Sequence, residues 1–367
     1  MSDLVKKRDS ANSLYSKYSN RKVYIEFIRI IAIILVIFNH TEEKGFKLFF
    51  SSQDSPFYVF YLFASLACKV AVPLFWMCSG ALLLPKEESI KQTYSKRFAR
   101  VFGALVIFSF VYFVASILFG STEFDLIYFF KRMYTDTYAT TYWYLYAYLG
   151  MLMLLPLLRK LVKGMTDVEF KYLFVLGVII NGLIPIIDYL LFDGENSINE
   201  YFVQYFPLNA VICFISGYYL ESVLKEEDYK KSISALLLAL GLLSIIVECY
   251  MTHLVNYDSG NDVVDQTFYE SLIFIPTFAI YYSLKCFDLN HKCNRKFKTI
   301  ICVLGGASFG IMLIEELFRI LFTSLYFKIS GFLPTFISCI IWVLIIYAAC
   351  TIVTLIMKKI PILKKFL

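Results

Sequence analysis

Ten apolar runs recur along this sequence, at 23–40, 57–84, 100–120, 141–162, 170–191, 203–222, 232–254, 266–285, 299–327 and 334–357. Each is close to the roughly 20 residues that carry a helix across a bilayer. That repetition leaves few folds open. Lipid offers no partner to a backbone N–H or C=O, so only helices and closed barrels cross it. The runs are too long for barrel strands, so the expected fold is all-α: a polytopic membrane helical bundle of about ten transmembrane helices. Composition agrees, with 59% hydrophobic and only 17% charged residues, where a soluble domain carries about 25% charged. No soluble core buries that much apolar surface. A cytosolic enzyme, a disordered chain and a nucleic-acid module are thereby excluded.

The 35 Lys and Arg residues set the expected orientation. Counting those at span ends with the adjoining loop, 27 fall in the N-terminal tail, every second loop and the C-terminal tail, and 5 in the intervening loops. Arg29, Lys69 and Arg319 remain inside spans. Positive charge stays on the cytoplasmic side, so both termini are expected there, in a multi-pass protein of the cell membrane. The expected organisation is a basic N-terminal tail (1–22), a ten-span membrane domain (23–357) and a basic C-terminal tail (358–367). The polar, basic start has no cleavage site after a short apolar segment and reads as a tail, not a signal peptide. Nine cysteines form no CxxC pair and read as small buried residues and reduced thiols. Pro73 is expected to break the second run and Gly305-Gly306 to bend the ninth. Residues 121–140, with Phe124, Ile127, Tyr128 and Phe130 beside Lys131 and Arg132, have the composition of an interfacial helix.

Ionisable side chains inside a span are costly and mark function by default. The first span holds Glu26, Arg29 and His40. Eleven helical steps from Arg29 to His40 return to nearly the same face about 16 Å further along, so these residues share one stripe. One reading is a Glu26–Arg29 ion pair with a histidine at the helix end; the other is a functional pathway. Depth sorting at about 1.5 Å per residue places His40, Glu248, Glu270, Glu315, Glu316 and Arg319, from four spans, at one level in the outer half. They read either as separate ion pairs near the headgroups or as a water-filled pocket. Arg319 also has helix-pair spacing to Glu315 and Glu316, which makes a clamp within one helix. Trp143 stands among tyrosines at an outer boundary, suited to a belt or to stacking on a sugar. His253 and His291 read as solvated.

Arg29-x10-His40 resembles the signature of the acyltransferase-3 family of membrane O-acyltransferases. So do Phe75-Trp76-Met77-Cys78-Ser79-Gly80, the basic Lys96-Arg97-Phe98-Ala99-Arg100, Trp143-Tyr144-Leu145-Tyr146 with Pro156, and Ser308-Phe309-Gly310-Ile311-Met312-Leu313-Ile314. These segments follow in order across nearly the whole chain. One departure stands out: where many members carry a histidine after the last motif, this chain has Glu315. The resemblance implies transfer of an acyl group, usually acetyl, from cytoplasmic acyl-coenzyme A to a hydroxyl of a cell-envelope carbohydrate or lipid-linked sugar. It implies no permanently bound cofactor and no metal. Arg97 and Arg100 would then bind the donor phosphates, since guanidinium forks suit phosphate, although topology anchoring also explains them. His40 is the best general base by type, with Glu315 at a depth to orient it. Arg29, Lys69, Trp76 and Ser79 are the candidate donors to the thioester oxygen, and Glu248, Glu270, Trp143, Glu316 and Arg319 the candidate acceptor contacts. A transporter or flippase for a glycan or lipid-linked sugar is the competing reading, because it too needs a polar cavity. Against it, paired broken helices of an inverted repeat are not evident.

Overall fold

The computed structural model of the chain describes residues 18, 20–192, 198, 209–256, the backbone of 257–259, 271–291 and 293–367. Every regular element among them is helical. In chain order the longer helices are α1 (Val23–Asn39), α2 (Tyr58–Ala67), α3 (Ala71–Leu83), α4 (Ala99–Leu118), α5 (Leu126–Thr135), α6 (Trp143–Gly164), α7 (Asp167–Gly177), α8 (Ile184–Phe192), α9 (Asn209–Tyr218), α10 (Lys231–Ser259), α11 (Phe274–Asn290), α12 (Arg295–Gly305), α13 (Ser308–Leu321), α14 (Thr323–Ser330) and α15 (Thr335–Met357).

Six helical stretches among the described residues are long and apolar enough to cross a membrane: 58–83, 90–118, 140–164, 167–192, 231–256 and 335–357. Counting α12 and α13 as one broken span makes seven, against the ten expected. The difference lies in length. Helices α1 and α11 have 17 residues each, about 26 Å at 1.5 Å per residue, and α9 begins at the edge of the described residues.

The second span is interrupted where its proline requires it. Pro73 lacks an N–H and its ring clashes with the carbonyl four residues back, which belongs to Lys69. The chain accordingly tightens to a 3-10 turn over Cys68–Val70 between α2 and α3. The ninth breaks at Gly305-Gly306, as expected. Residues 126–135 form the short helix α5, capped by Asp125, whose Oδ1 accepts from the N–H groups of Ile127 and Tyr128 at 2.7 and 3.1 Å.

The chain folds as two compact units, each built from two stretches of sequence. The first comprises Met1–Pro85 and Met165–Gly306. Its tightest packing joins α3 to α9, where a Cβ on Gly80 would overlap the Phe214 carbonyl and one on Gly217 the Met77 carbonyl. The absence of side chains lets the two backbones touch, the usual way membrane helices gain van der Waals contact. Helix α12 approaches α1 in the same manner: a Cβ on Gly305 would stand 2.5 Å from the Glu26 carbonyl oxygen.

The second unit comprises Lys86–Gly164 and Ala307–Leu367. Here α13 packs on α15 and on the turn before α6. Tyr142 donates from its hydroxyl to the Leu313 carbonyl at 2.8 Å, and Trp342 Nε1 donates to the Phe322 carbonyl at 2.8 Å.

Candidate functional site

In the first unit the polar side chains of α1 have defined partners. Glu26 is buried, and its two oxygens accept separately, Oε1 from Arg21 at 2.9 Å and Oε2 from Arg29 at 3.1 Å. The Glu26–Arg29 pair is therefore present, with Arg21 as a second cation. At the other end α1 stops at Asn39, and His40, half-buried, lies just outside the helix with φ −98° and ψ 16°. Thr41 fixes that exit. Its hydroxyl donates to the Phe38 carbonyl at 2.7 Å and accepts from the Phe46 N–H at 2.9 Å.

The Pro73 break meets this end of α1. The Lys69 ammonium stands 4.7 Å from the centre of the Phe46 ring, a cation–π contact. The neighbouring Cys68 thiol points to Asn39 Oδ1 at 3.7 Å. Thus His40 and Lys69, far apart in sequence, share one neighbourhood built from Asn39, Thr41, Phe46 and Cys68. Trp76 and Ser79 follow on α3, Trp76 buried and Ser79 half-buried, and Cys78 lies 4.0 Å from the Ile25 carbonyl oxygen of α1.

A second polar cluster in this unit was not anticipated from the sequence. Glu221, 7% exposed, accepts from Lys22 Nζ and from the Tyr24 hydroxyl and faces Lys285 Nζ at 3.6 Å. Lys285 also donates to the Leu220 carbonyl at 2.7 Å and lies 4.6 Å over the Tyr229 ring. The available signal was position: all three charged residues flank span ends on the side expected to be cytoplasmic.

Glu248 of α10 is fully buried, and its Oε1 accepts from the Leu272 N–H at 2.8 Å. Glu270 lies outside the described residues. His253 is not merely solvated: its Nδ1 shares a hydrogen bond with the Tyr58 hydroxyl at 3.0 Å.

In the second unit Arg97 and Arg100 do not converge on one point. Arg97 pairs with Glu88 Oε1 at 2.7 Å, and Arg159 reaches Glu88 Oε2 at 2.9 Å and Thr93 Oγ1 at 3.2 Å. Arg159 is buried, although its place near a span end reads as topology anchoring. Hydrogen bonding from Arg97 and Arg159 outweighs partial burial and holds the Glu88 carboxyl down at about 2. Arg100 instead donates to the main-chain oxygens of Leu367 and Phe366, the latter at 3.4 Å, and lies 5.9 Å from the Phe309 ring centre.

Glu315 is fully buried, and both of its oxygens accept from Arg319, at 2.6 and 3.4 Å. Glu316 faces Arg319 at 3.6 Å and accepts from the N–H and hydroxyl of Thr140, each at 2.6 Å. Glu315 thus makes the clamp contact within α13 that its spacing to Arg319 allows. Trp143 is 48% exposed beside Tyr144. Among the described residues no group of His, Cys, Asp and Glu has metal-binding geometry.

A family model described as an acyltransferase domain matches residues 22–358. The match spans both units and contains every candidate site residue named from the sequence. No curated protein and no solved structure matches the chain.

Proposed function

Because the chain belongs to the acyltransferase-3 family of membrane proteins, we propose that it moves an acyl group, acetyl in the simplest case, from acyl-coenzyme A to a hydroxyl of a cell-envelope carbohydrate. The observation that carries this reading is that the exit of α1, where His40 stands, packs against the Pro73 break, through Asn39 on Cys68 and Phe46 on Lys69. In the proposed reaction His40 takes the proton of the acceptor hydroxyl as its oxygen attacks the thioester carbonyl. The carbonyl oxygen gains charge and is met by a donor, for which Lys69, Arg29, Ser79 and Trp76 are the candidates. The carbon–sulfur bond then breaks, and the coenzyme A thiolate recovers the proton from His40. Histidine suits this exchange because its ordinary pKa of about 6.5 lies near neutral pH.

The donor approaches from the cytoplasm, where the basic loops of a ten-span chain with both termini inside would lie. Arg97 and Arg100 receive its phosphates in this proposal. Glu88 supports that role, since a single carboxylate holds Arg97 and Arg159 and neutralises only one of them. The acceptor enters from the other side, with Glu248, Glu270, Glu316, Arg319 and Trp143 as its proposed contacts. Glu315, paired with Arg319, is the proposed positioning carboxylate for the base.

Mass analysis of envelope glycan tests the proposal, comparing a deletion strain complemented with wild type or with His40→Ala. Loss of the base lowers the rate about 10²–10⁴-fold, so the variant's glycan should lack one acyl unit per acceptor site. Glycan of unchanged mass from a folded, membrane-inserted His40→Ala protein would overturn the assignment.

A further inference from the structure

Helix α10 exposes an apolar side, with Leu243, Ile246 and Tyr250 at 56%, 49% and 60% exposure. Its opposite side carries Glu248, Thr252 and Asn256, which are 0%, 3% and 6% exposed. A four-residue step advances the helix by about 40°, so these three form a polar stripe about 80° wide and about 12 Å long. Met251 and Val255 flank it on one edge, packed with Ile186 and Leu272. On the other edge His253 meets Tyr58 of α2, the helix that leads into the break at Lys69. The stripe therefore runs between these two packed edges and is itself buried.

Glu248 is anchored at one end of the stripe by the Leu272 N–H. The next two residues are not anchored. Among the described residues, Thr252 Oγ1 and both side-chain amide atoms of Asn256 are buried without a hydrogen-bond partner. Native proteins leave very few such groups, because a donor or acceptor removed from water and left unmade is strongly disfavoured. Inside a bilayer the penalty is not relieved by nearby solvent. Two consecutive turns carrying three unmade atoms call for a ligand.

The chemistry of the stripe selects the ligand class. A cation would use the oxygens of Glu248, Thr252 and Asn256 but leave the buried Asn256 amide N–H groups unmade, and an anion would face the Glu248 carboxylate. Thr252 and Asn256 each both donate and accept, beside the acceptor-only Glu248. That mixture matches neutral hydroxyls, each of which donates one hydrogen bond and accepts others. We propose that Thr252 and Asn256, with Glu248, bind hydroxyl groups of the carbohydrate acceptor next to the one that is acylated. This assignment rests on the acyl-transfer reading above and adds two acceptor-binding residues to it.

The test uses the full chain in native membranes, acetyl-coenzyme A, and envelope polysaccharide purified from a deletion strain as the acceptor probe. Asn256→Leu and Thr252→Val keep size and remove hydrogen bonding. Each should raise the acceptor KM about fivefold to tenfold, as expected for one or two lost neutral hydrogen bonds, with the donor KM unaltered. Asn256→Ser, which keeps a donor and an acceptor, should recover part of the loss. Thermal unfolding of the unliganded variants in detergent should occur at the wild-type temperature or above it, because the groups removed are unsatisfied in that state. Acceptor KM values within twofold of wild type would show that ordered water alone fills the stripe and would overturn the assignment. A fall in unfolding temperature, or failure of Asn256→Leu to fold, would show that the amide is structural and would overturn it too. No transfer by the wild type itself would overturn the acyl-transfer reading, and this assignment with it.

Discussion

Arg319→Met isolates the energetics of the buried pair in α13. Glu315 has no exposed surface, and Arg319 donates to both of its oxygens, at 2.6 and 3.4 Å. Removing the guanidinium leaves a buried carboxylate without its cation, which typically destabilises by about 3–5 kcal/mol. Glu316 moderates the effect little, since Thr140 already satisfies it through two 2.6 Å bonds. Replacing both partners, as Glu315→Leu with Arg319→Met, removes the uncompensated charge and fills the space with apolar atoms. Such exchanges are often neutral or stabilising, so the double variant should unfold within about 1 kcal/mol of wild type. The assay is a double-mutant cycle by denaturant unfolding in mixed micelles. A loss below about 1 kcal/mol in Arg319→Met, or a double variant as unstable as that single one, would refute the clamp. Activity separates the roles further. A clamp predicts equal rate losses in Glu315→Gln and Arg319→Met with the acidic limb of the rate profile unmoved. A carboxylate orienting His40 predicts that this limb moves to lower pH in Glu315→Gln alone.

Three further outcomes are expected. Gly80→Ala places a methyl group against the Phe214 carbonyl of α9 and should destabilise the protein by about 1–3 kcal/mol, as overpacking does; unfolding at the wild-type midpoint would contradict the backbone contact. Glu88, held at about 2 against an ordinary 4.5, stabilises fully above the ordinary value. That contribution fades as pH falls through the folded value, so wild type should lose stability relative to Glu88→Gln between about pH 4.5 and pH 2, and parallel pH curves would refute the link. Cys293 is exposed while the other eight cysteines are buried. With cytoplasmic termini an impermeant maleimide should label the protein only after cells are opened, and labelling of intact cells would reverse the topology.

What the sequence disclosed, and what it withheld, follows from the range of each interaction. Helix positions were readable because burial in lipid acts on every residue of a run. The Lys69 break was readable because proline acts four residues back along its own chain. The Glu26–Arg29 and Glu315–Arg319 pairs were readable as spacings of three and four, but spacing alone did not decide whether Glu315 belongs to Arg319 or to another partner. Glu221 and Lys285 were invisible as a pair, because 64 residues separate them and each looked like the solvated flank of a span. Arg159 could not be singled out, since a basic residue near a span end looks the same whether it faces headgroups or Glu88. Thr252 and Asn256 looked like ordinary helix residues; only burial without partners distinguishes them.

The buried clusters show a pattern that no single motif carries. Three carboxylates each hold two cations: Glu26 with Arg21 and Arg29, Glu88 with Arg97 and Arg159, and Glu221 with Lys22 and Lys285. Within these named pairs the cations outnumber the carboxylate by one. By their place along the alternating chain, all three belong to the ends of spans that the basic loops join. Glu315 and Glu316 both pair with Arg319, at the ends that the charge-poor loops join. A carboxylate between two cations limits their mutual repulsion and fixes their positions without cancelling their field. An arrangement of this kind draws a polyanionic donor to one set of span ends. The opposite set, poor in cations and lined on α10 by amide and hydroxyl groups, is suited to a neutral polyol. The two substrates of the proposed reaction differ most in charge, and such a division of charge along the chain would favour each at its own set of span ends.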